Sequence, residues 1–242
     1  MCLVFINYQP NANRPLMIGA NREESRRRPT TSPVCCKQRR MRCLLAGADH
    51  GPDGSFPEMG TWLGVNAAGL AVAVTNRHDG ELAWADQTRS RGLLAVLLLD
   101  NDRPRDAADI AQSALAQGGY GGCNFLIATA DAAFIVQAPG PTRISVARLE
   151  PGIHAMTNLD LDDPGDPRIQ LVRATLEPEN FIPSAASLCR DNRIVVSGGE
   201  RGTVSSSLIL ADNAIVLYHI EGDPRGRHYR EFQLDSIIQS NP

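Results

Sequence analysis

The stretch Met1-Cys2-Leu3-Val4-Phe5-Ile6 decides how the rest of the chain is interpreted. Met1 is expected to be removed before so small a residue, which would leave Cys2 with a thiol and a free α-amine. The amine, with an ordinary pKa of about 7.7–8.0, could then act as a base for the thiol, as in N-terminal threonine nucleophiles. An incidental cysteine is the alternative, and this stretch alone leaves both open.

The apolar run Leu3–Ile6 predicts a buried strand that would hold Cys2 in place. A turn rich in Pro and Asn, at residues 10–15, separates it from a second apolar strand at 16–20, which runs into Asn21-Arg22-Glu23-Glu24. Two short strands joined by a turn predict a hairpin. This hairpin would bring the polar cluster at 21–24 back beside Cys2, unless these charges are merely a solvated strand end.

Two further predicted strands end in asparagine. Residues 60–66 and 70–75, joined by the turn Ala67-Ala68-Gly69, predict a hairpin whose second strand ends at Asn76. A short strand over 152–158 ends at Asn158. Their amides could be hydrogen-bond donors in a site or caps for local backbone groups, and the residues alone leave both possibilities open.

The remaining pattern predicts strands and helices in separate groups. Helices are predicted at 93–99, where Ser90 could act as the cap, and at 105–116, 167–176 and 183–190; residues 25–60 are predicted to be irregular. Further strands are predicted at 123–128, 132–137, 143–149, 203–210, 215–220 and 228–234. Antiparallel runs with grouped helices predict an α+β fold of two stacked sheets with helices outside both.

Composition narrows the functional classes. With 242 residues, 43% hydrophobic and 21% charged, the chain has the composition of an ordinary globular protein, and its formal net charge of -3 argues against nucleic-acid binding. No apolar run approaches the roughly 18 residues of a membrane span, and no secretory signal pattern is present, so a cytoplasmic location is predicted. Cys35-Cys36 and Cys43 lack the paired spacing of zinc sites, so no metal site is predicted.

Several motifs together resemble one family. In order they are Met1-Cys2, Asn21-Arg22-Glu23-Glu24, Arg28-Pro29, Gly60-Thr61-Trp62-Leu63-Gly64, Thr75-Asn76, Arg89-Ser90-Arg91-Gly92, Asn124-Phe125-Leu126, Thr157-Asn158-Leu159 and Gly202-Thr203. This set resembles the NRDE family, also known as the transport and Golgi organisation protein 2 family. It extends from residue 1 to about 234, so one domain over 1–242 is expected.

That family is similar in pattern to the N-terminal-nucleophile hydrolases of the cholylglycine hydrolase and penicillin V acylase type. The resemblance implies a four-layer αββα sandwich with Cys2 as nucleophile at the edge of a central sheet. By position it implies that Arg22 and Glu23 orient the cysteine and that Asn76 and Asn158 build or support an oxyanion hole. Asn21, Trp62 and Arg91 are further candidates, for substrate binding.

Two positions depart from the family pattern. Glu23 replaces the aspartate of the family's name motif and is one methylene longer. Val204 replaces an arginine expected shortly after Gly202-Thr203, and Arg201 lies just before that motif. Both changes would alter the geometry around the predicted nucleophile.

The first functional hypothesis is a cysteine amidohydrolase that cleaves a linear, small-molecule amide and needs no cofactor. The alternative is a non-enzymatic protein that carries haem, a lipid or an acyl-CoA. In that case Cys2, His78 or His154 could ligate the haem iron, and arginines at 26–28 or at 89 and 91 could pair with anionic groups.

Overall fold

The computed structural model of this protein describes residues 2–49, 59–79, 88–211 and 214–234. The strands, in chain order, are β1 (Leu3–Tyr8), β2 (Leu16–Ser25), β3 (Val34–Lys37), β4 (Arg42–Leu45), β5 (Ala48–Asp49), β6 (Gly60–Thr61), β7 (Leu63–Asn66), β8 (Ala71–Asn76), β9 (Cys123–Ala128), β10 (Ala133–Gly140), β11 (Arg143–Arg148), β12 (Gly152–Met156), β13 (Arg201–Ala211), β14 (Ile215–Glu221) and β15 (Arg230–Gln233). They form two large antiparallel sheets and one small pair.

The first large sheet has six strands in the order β12-β1-β2-β13-β14-β15. The second has seven, in the order β11-β10-β9-β8-β7-β4-β3, and β5 pairs with β6 separately. Strand β1 is an interior strand of the first sheet, and its side chains are buried from Leu3 to Tyr8. A strand that is buried on both faces reads as a continuous apolar run, which explains why Leu3–Ile6 shows no polar alternation.

Within the described residues, four α-helices connect the strands: α1 (Arg91–Leu98), α2 (Pro104–Ala116), α3 (Pro167–Thr175) and α4 (Phe181–Cys189). The Ser90 hydroxyl caps α1 by accepting from the Leu93 backbone N–H at 3.2 Å. The Asp166 carboxylate caps α3 in the same way, since it accepts from the Arg168 backbone N–H at 2.8 Å.

Each large sheet is covered by helices on its outer face, and the two sheets pack against each other. Helices α1 and α2 pack against the seven-stranded sheet, and α3 and α4 pack against the six-stranded sheet. Along β1 the side chains alternate: Val4 and Ile6 join the core between the sheets, whereas Leu3 and Phe5 join the cluster under α3 and α4. This gives the αββα sandwich that the sequence predicts.

Most predicted elements are confirmed with small shifts of their ends, but the irregular region predicted over 25–60 is wrong. Strands β3 and β4 form a hairpin there, closed by a hydrogen bond from the Gln38 N–H to the Met41 carbonyl at 2.8 Å. The arginine-rich sequence does not indicate this hairpin, because β4 is stabilised by pairing with β7 and not by a strong local preference for strand.

Strand β2 is also longer than its apolar part. It continues through the polar residues to Ser25, since β13 pairs with it along this stretch. The predicted β1–β2 hairpin is confirmed, with Leu3 opposite Asn21. Within the described ranges, no helix is long and apolar enough to cross a membrane.

Candidate active site

Cys2 directly precedes β1, in the interior of the six-stranded sheet. Leu3 pairs with Asn21 on one side, and Val4 pairs with Met156 on the other. The antiparallel ladder therefore carries Cys2 alongside the end of β2 that holds Arg22 and toward the loop that follows β12. Cys2 is partly exposed as a residue, but its thiol is buried.

Arg22 and Glu23, both on β2, lie beside the Cys2 thiol. The guanidinium of Arg22 is buried and donates to the Thr30 hydroxyl at 2.7 Å. The backbone N–H of Glu23 lies within hydrogen-bonding reach of the Cys2 sulfur, and the Glu23 carboxylate pairs with Arg168 at 3.3 Å. The predicted hairpin thus brings Arg22 and Glu23 to Cys2.

Burial dominates the electrostatics of the Cys2 thiol, although the charge of Arg22 acts to lower its pKa. Burial raises the pKa of Cys2 and the Glu23 carboxylate raises it further, so these effects outweigh the lowering by the Glu23 N–H and Arg22. A thiol with a raised pKa is neutral at pH 7. The resting cysteine therefore needs a base to become a nucleophile.

Glu23 itself titrates near neutral pH. Burial raises the pKa of its carboxyl to about 7, although the neighbouring Arg168 acts to lower it. Only 2% of the Glu23 side chain is exposed, which explains the strength of the desolvation. The carboxyl beside the cysteine thus titrates near neutral pH rather than in its ordinary acidic range.

Arg168 is a site residue that the sequence did not reveal. It lies in the first turn of α3, and its guanidinium contacts Asp166 at 3.6 Å as well as Glu23. Asp166 in turn accepts a hydrogen bond from the Thr157 hydroxyl at 2.7 Å. These contacts join α3, β2 and the loop after β12.

The structure brings Asn76 and Asn158 together. The Asn158 amide donates to the Asn76 carbonyl at 2.5 Å, and the Asn158 carbonyl accepts from the His78 N–H at 3.0 Å. Within the described ranges, the Asn76 side-chain amide forms no hydrogen bond and the buried Oδ1 of Asn158 has no partner. The two strand ends are therefore tied to each other, and a free amide remains on Asn76.

A buried arginine next to Asn76 holds this arrangement. Arg77 donates to Asp160 at 2.7 Å and to Asn124 at 3.0 Å, and it forms a two-pronged pair with Asp79 at 2.8 Å. Asn124 also donates to the Leu159 carbonyl at 2.7 Å. This network locks β8, β9 and the Asn158 loop together, and its signal in the sequence is polar residues at buried strand positions.

The three predicted substrate-binding residues are placed differently from one another. Asn21 is fully buried, and its amide donates at 2.9 Å to the carbonyl of Cys189 in α4, on the helix side of the sheet. Trp62 packs in the core, and its indole N–H has no partner among the described residues. Arg91 lies within electrostatic range of the thiol, and its guanidinium donates to the Gly122 carbonyl at 3.0 Å.

The structure shows the surroundings of Val204, the second position that departs from the family pattern. Val204 lines a cleft beside Arg22, whereas Arg201 is exposed and pairs with Glu24 at 3.1 Å. Arg201 therefore does not supply the missing cation near Cys2. Among the described residues, helix α3 supplies a cation next to Glu23, namely Arg168.

The candidate haem ligands differ in their surroundings. Both ring nitrogens of His154 are engaged, with the Asp162 carboxylate at 2.6 Å and the Glu150 carbonyl at 2.8 Å. His78 is exposed. Across the part of the chain that the structure describes, no group of three or more His, Cys, Asp or Glu side chains could hold a metal ion.

The arrangement of the strands places the protein in a recognisable fold class. A Caenorhabditis elegans N-acylethanolamine-hydrolyzing acid amidase ortholog matches with a TM-score of 0.62 at 13% identity, over 87% of this chain and 93% of that one. The C2A mutant of conjugated bile acid hydrolase from Clostridium perfringens matches with 0.55 at 11% identity, over 98% and 93%. Penicillin V acylase from Agrobacterium tumefaciens matches with 0.56 at 14% identity, over 91% and 83%. The fold is therefore the α+β sandwich of N-terminal-nucleophile hydrolases.

Sequence comparison then gives the family. The model of the family described as Transport and Golgi organisation 2 matches residues 1–186, and the chain belongs to that family. A human relative, the Transport and Golgi organization protein 2 homolog, is 30% identical over 175 residues, which cover 68% of this chain. The matched region spans 59% of the human protein's length.

Proposed function

We propose that this chain is a cysteine amidohydrolase that cleaves a small-molecule amide with Cys2 as the nucleophile. One observation carries the proposal: the Cys2 thiol lies at the start of an interior strand, beside Arg22 and Glu23, while Asn76 at the end of β8 is hydrogen-bonded to Asn158 in the loop after β12. Met1, whose removal the mechanism requires, lies outside the described residues.

The reaction begins with proton transfer. The α-amine of Cys2, freed when Met1 is removed, takes the thiol proton as the sulfur attacks the amide carbonyl carbon. The new bond joins sulfur to carbon, and the carbonyl oxygen becomes an oxyanion. The ammonium group returns its proton to the departing nitrogen, the C–N bond breaks, and a thioester remains until water hydrolyses it.

In this mechanism Asn76 supplies a side-chain N–H to the oxyanion, because its amide is not used within the described residues. Asn158 acts as a positioning residue, since its own amide is bonded to the Asn76 carbonyl. Arg77 supports both through Asn124 and Asp160. The ion pair of Glu23 and Arg168 sets the local charge around the thiol and the α-amine, with one negative and one positive group.

The raised pKa of Cys2 favours this choice of base. A preformed thiolate would need a lowered pKa, whereas burial and Glu23 move the thiol the other way. A base on the same residue meets that need without a histidine. The amine's ordinary pKa of about 7.7–8.0 also suits proton exchange near neutral pH.

The experiment combines intact mass with turnover. Mass spectrometry of the purified protein should show loss of Met1, and incubation with a library of linear amides should release amine products that the Cys2→Ala variant does not release. Cys36→Ala is the matched control, because Cys36 is also half-buried but lies on β3, in the other sheet. Retention of Met1, or equal turnover by the two variants, would overturn the proposal.

The proposal also covers the cellular location, the domain organisation and the substrate class. All six cysteines are free thiols, which supports a reducing compartment such as the cytoplasm. We propose one domain over residues 1–242 and a small-molecule substrate. The haem or lipid carrier stays an alternative prediction, and among its suggested iron ligands His154 is already bonded on both ring nitrogens.

A further inference from the structure

A cleft of about 270 Å³ lies on the same face of the six-stranded sheet as Cys2. Extended by one residue, the β1–β2 ladder puts Cys2 opposite Arg22, and Arg22 pairs in turn with Ser205 on β13. Ser205 pairs with Glu221 on β14. Residues that lie directly opposite each other share a face, so these four form one row across the sheet. The last three of them line the cleft.

The next row of this face holds His219. It pairs with Ser207, which pairs with Ala20 on β2. His219 also lines the cleft, although only 4% of the residue is exposed. Because neighbouring strands lie about 4.8 Å apart and β14 is three strands from β1, His219 lies about 15 Å from Cys2 across the sheet. The cleft therefore lies at a distance that an extended substrate bound at Cys2 can span.

The hydrogen bond between His219 and Ser207 fixes the tautomer of the imidazole. The Ser207 hydroxyl is fully buried, and within the described residues its partner is the His219 Nδ1 at 2.9 Å. A proton on Nδ1 would leave the hydroxyl proton without an acceptor, which is unfavourable in the interior. The hydroxyl therefore donates to Nδ1, and the ring proton lies on Nε2. Burial lowers the pKa of His219 to about 4, so the ring is neutral at pH 7.

Two hydrogen-bonding groups of this cleft have no partner within the described residues. The Nε2–H of His219 makes no hydrogen bond there, yet it is not one of the fully enclosed polar atoms, so it opens into the cleft. The Ser205 hydroxyl, also on a largely buried residue, is in the same situation. Buried donors are normally paired, so two open donors in one concavity indicate a place for the acceptor of a ligand.

Net charge does not select the ligand of this cleft. The arginines that line it interact with other groups of the protein: Arg22 with the Thr30 hydroxyl at 2.7 Å, Arg28 with Glu24 at 3.6 Å, and Arg26 electrostatically with Asp223. Glu221 adds a carboxylate to the wall, which disfavours an anion. The open donors, of which the His219 ring is neutral, therefore favour an uncharged acceptor.

We propose that His219 and Ser205 determine substrate specificity by donating hydrogen bonds to an uncharged carbonyl oxygen of the substrate. The inference rests on the proposed function. It makes the substrate a linear amide with a second, uncharged carbonyl group, which binds in the cleft while Cys2 attacks the first carbonyl about 15 Å away. A substrate without that second group would lose two hydrogen bonds and bind more weakly.

NMR of the full chain with ¹⁵N-labelled histidine tests the donor directly. At pH 7 the His219 ring should carry its proton on Nε2, and titration with N-acetylglycinamide should shift the ring signals to a plateau. N-acetylglycine, which differs by one carboxylate, should bind more weakly. A proton on Nδ1, a shift that never saturates with the amide, or tighter binding of the carboxylate would overturn the inference.

Variants of two histidines separate recognition from non-specific binding. His219→Leu should weaken the binding of N-acetylglycinamide about three- to tenfold, since one hydrogen bond is lost. His219→Gln, which keeps an N–H donor, should stay within about twofold of the unmodified protein. His228→Leu is the control, because His228 is exposed outside the cleft, and it should have no effect. The backbone signal of residue 205 follows binding in every variant.

Equal affinity of His219→Leu and the unmodified protein would contradict the assignment. If that variant does not fold, Ser205→Ala replaces it and should show a similar loss, and an unchanged affinity there has the same meaning. The titrations repeated on Cys2→Ala separate this inference from the proposed function. His219-dependent binding in a protein that cleaves no amide removes only the proposed activity, whereas amide cleavage without His219-dependent binding removes only this recognition.

Discussion

Two cysteines near the candidate site, Cys123 and Cys2, lie in different surroundings. Cys123 pairs with Asn76 in the β8–β9 ladder and is fully buried, and burial raises its pKa to about 12. The Cys2 thiol also has a pKa raised by burial, but Cys2 as a residue is partly exposed and lies beside a carboxyl that titrates near pH 7. Both thiols are buried, so the titrating carboxyl of Glu23 and the partial exposure of the residue are what distinguish Cys2 from Cys123.

The largest expected difference between the two cysteines appears when each thiol is removed in turn. Cys2→Ala should lower amide cleavage by at least about 10⁴-fold, since loss of a nucleophile removes the covalent route. Cys123→Ala should keep cleavage within a few-fold, because its side chain only packs in the core. Rates measured with any amide that the unmodified protein cleaves decide this; comparable losses in both variants would contradict the assignment.

The next largest effect concerns the oxyanion. Asn76→Ala should reduce the turnover rate by about 10²–10³-fold, with a much smaller change in KM, because a donor to the developing oxyanion acts mainly in the transition state. Steady-state kinetics give the two constants. If Asn158→Ala lost this much turnover while Asn76→Ala lost none, the donor and positioning roles would have to be exchanged.

A third prediction uses the titration of Glu23. Its folded-state pKa of about 7 exceeds the ordinary 4.5, so its protonated form stabilises the fold at low pH and this contribution is lost as pH rises through 7. The upper limit is about 3 kcal/mol. Urea unfolding from pH 4.5 to 8 should show a fall in stability that Glu23→Gln largely removes; parallel pH profiles would refute the raised pKa.

The smallest effect tests the link between Glu23 and the thiol. Because the ionised carboxylate raises the pKa of Cys2, Glu23→Gln should lower that pKa and speed alkylation of Cys2 by iodoacetamide a few-fold at pH 8. Peptide mapping by mass spectrometry follows Cys2 and Cys123 in the same sample. Cys123 should stay unlabelled in the folded protein, and a slower reaction of Cys2 in the variant would show that Glu23 acts in the opposite sense.

Much of the fold was predictable because its signals are local. The apolar runs of β1 and the start of β2, the Ser90 cap and the Asn-terminated strand β8 lie in short windows of sequence. The β3–β4 hairpin was missed because its order depends on pairing with β7, which contributes its strand from residues 63–66. Local propensity carries no information about such a partner.

The sequence by itself determined that Cys2 and Arg22–Glu23 meet at one end of a hairpin, because the turn between two apolar strands fixes which residues face each other. Only the tertiary structure decided that Asn21 bonds to Cys189 on the helix side and that Arg168 reaches Glu23. Only it decided that the pKa of Cys2 is raised rather than lowered. The physical reason is that Asn21 and Glu23 bond to residues more than a hundred positions away, and that the burial of Cys2 depends on how the sheets and helices pack, which no local pattern encodes.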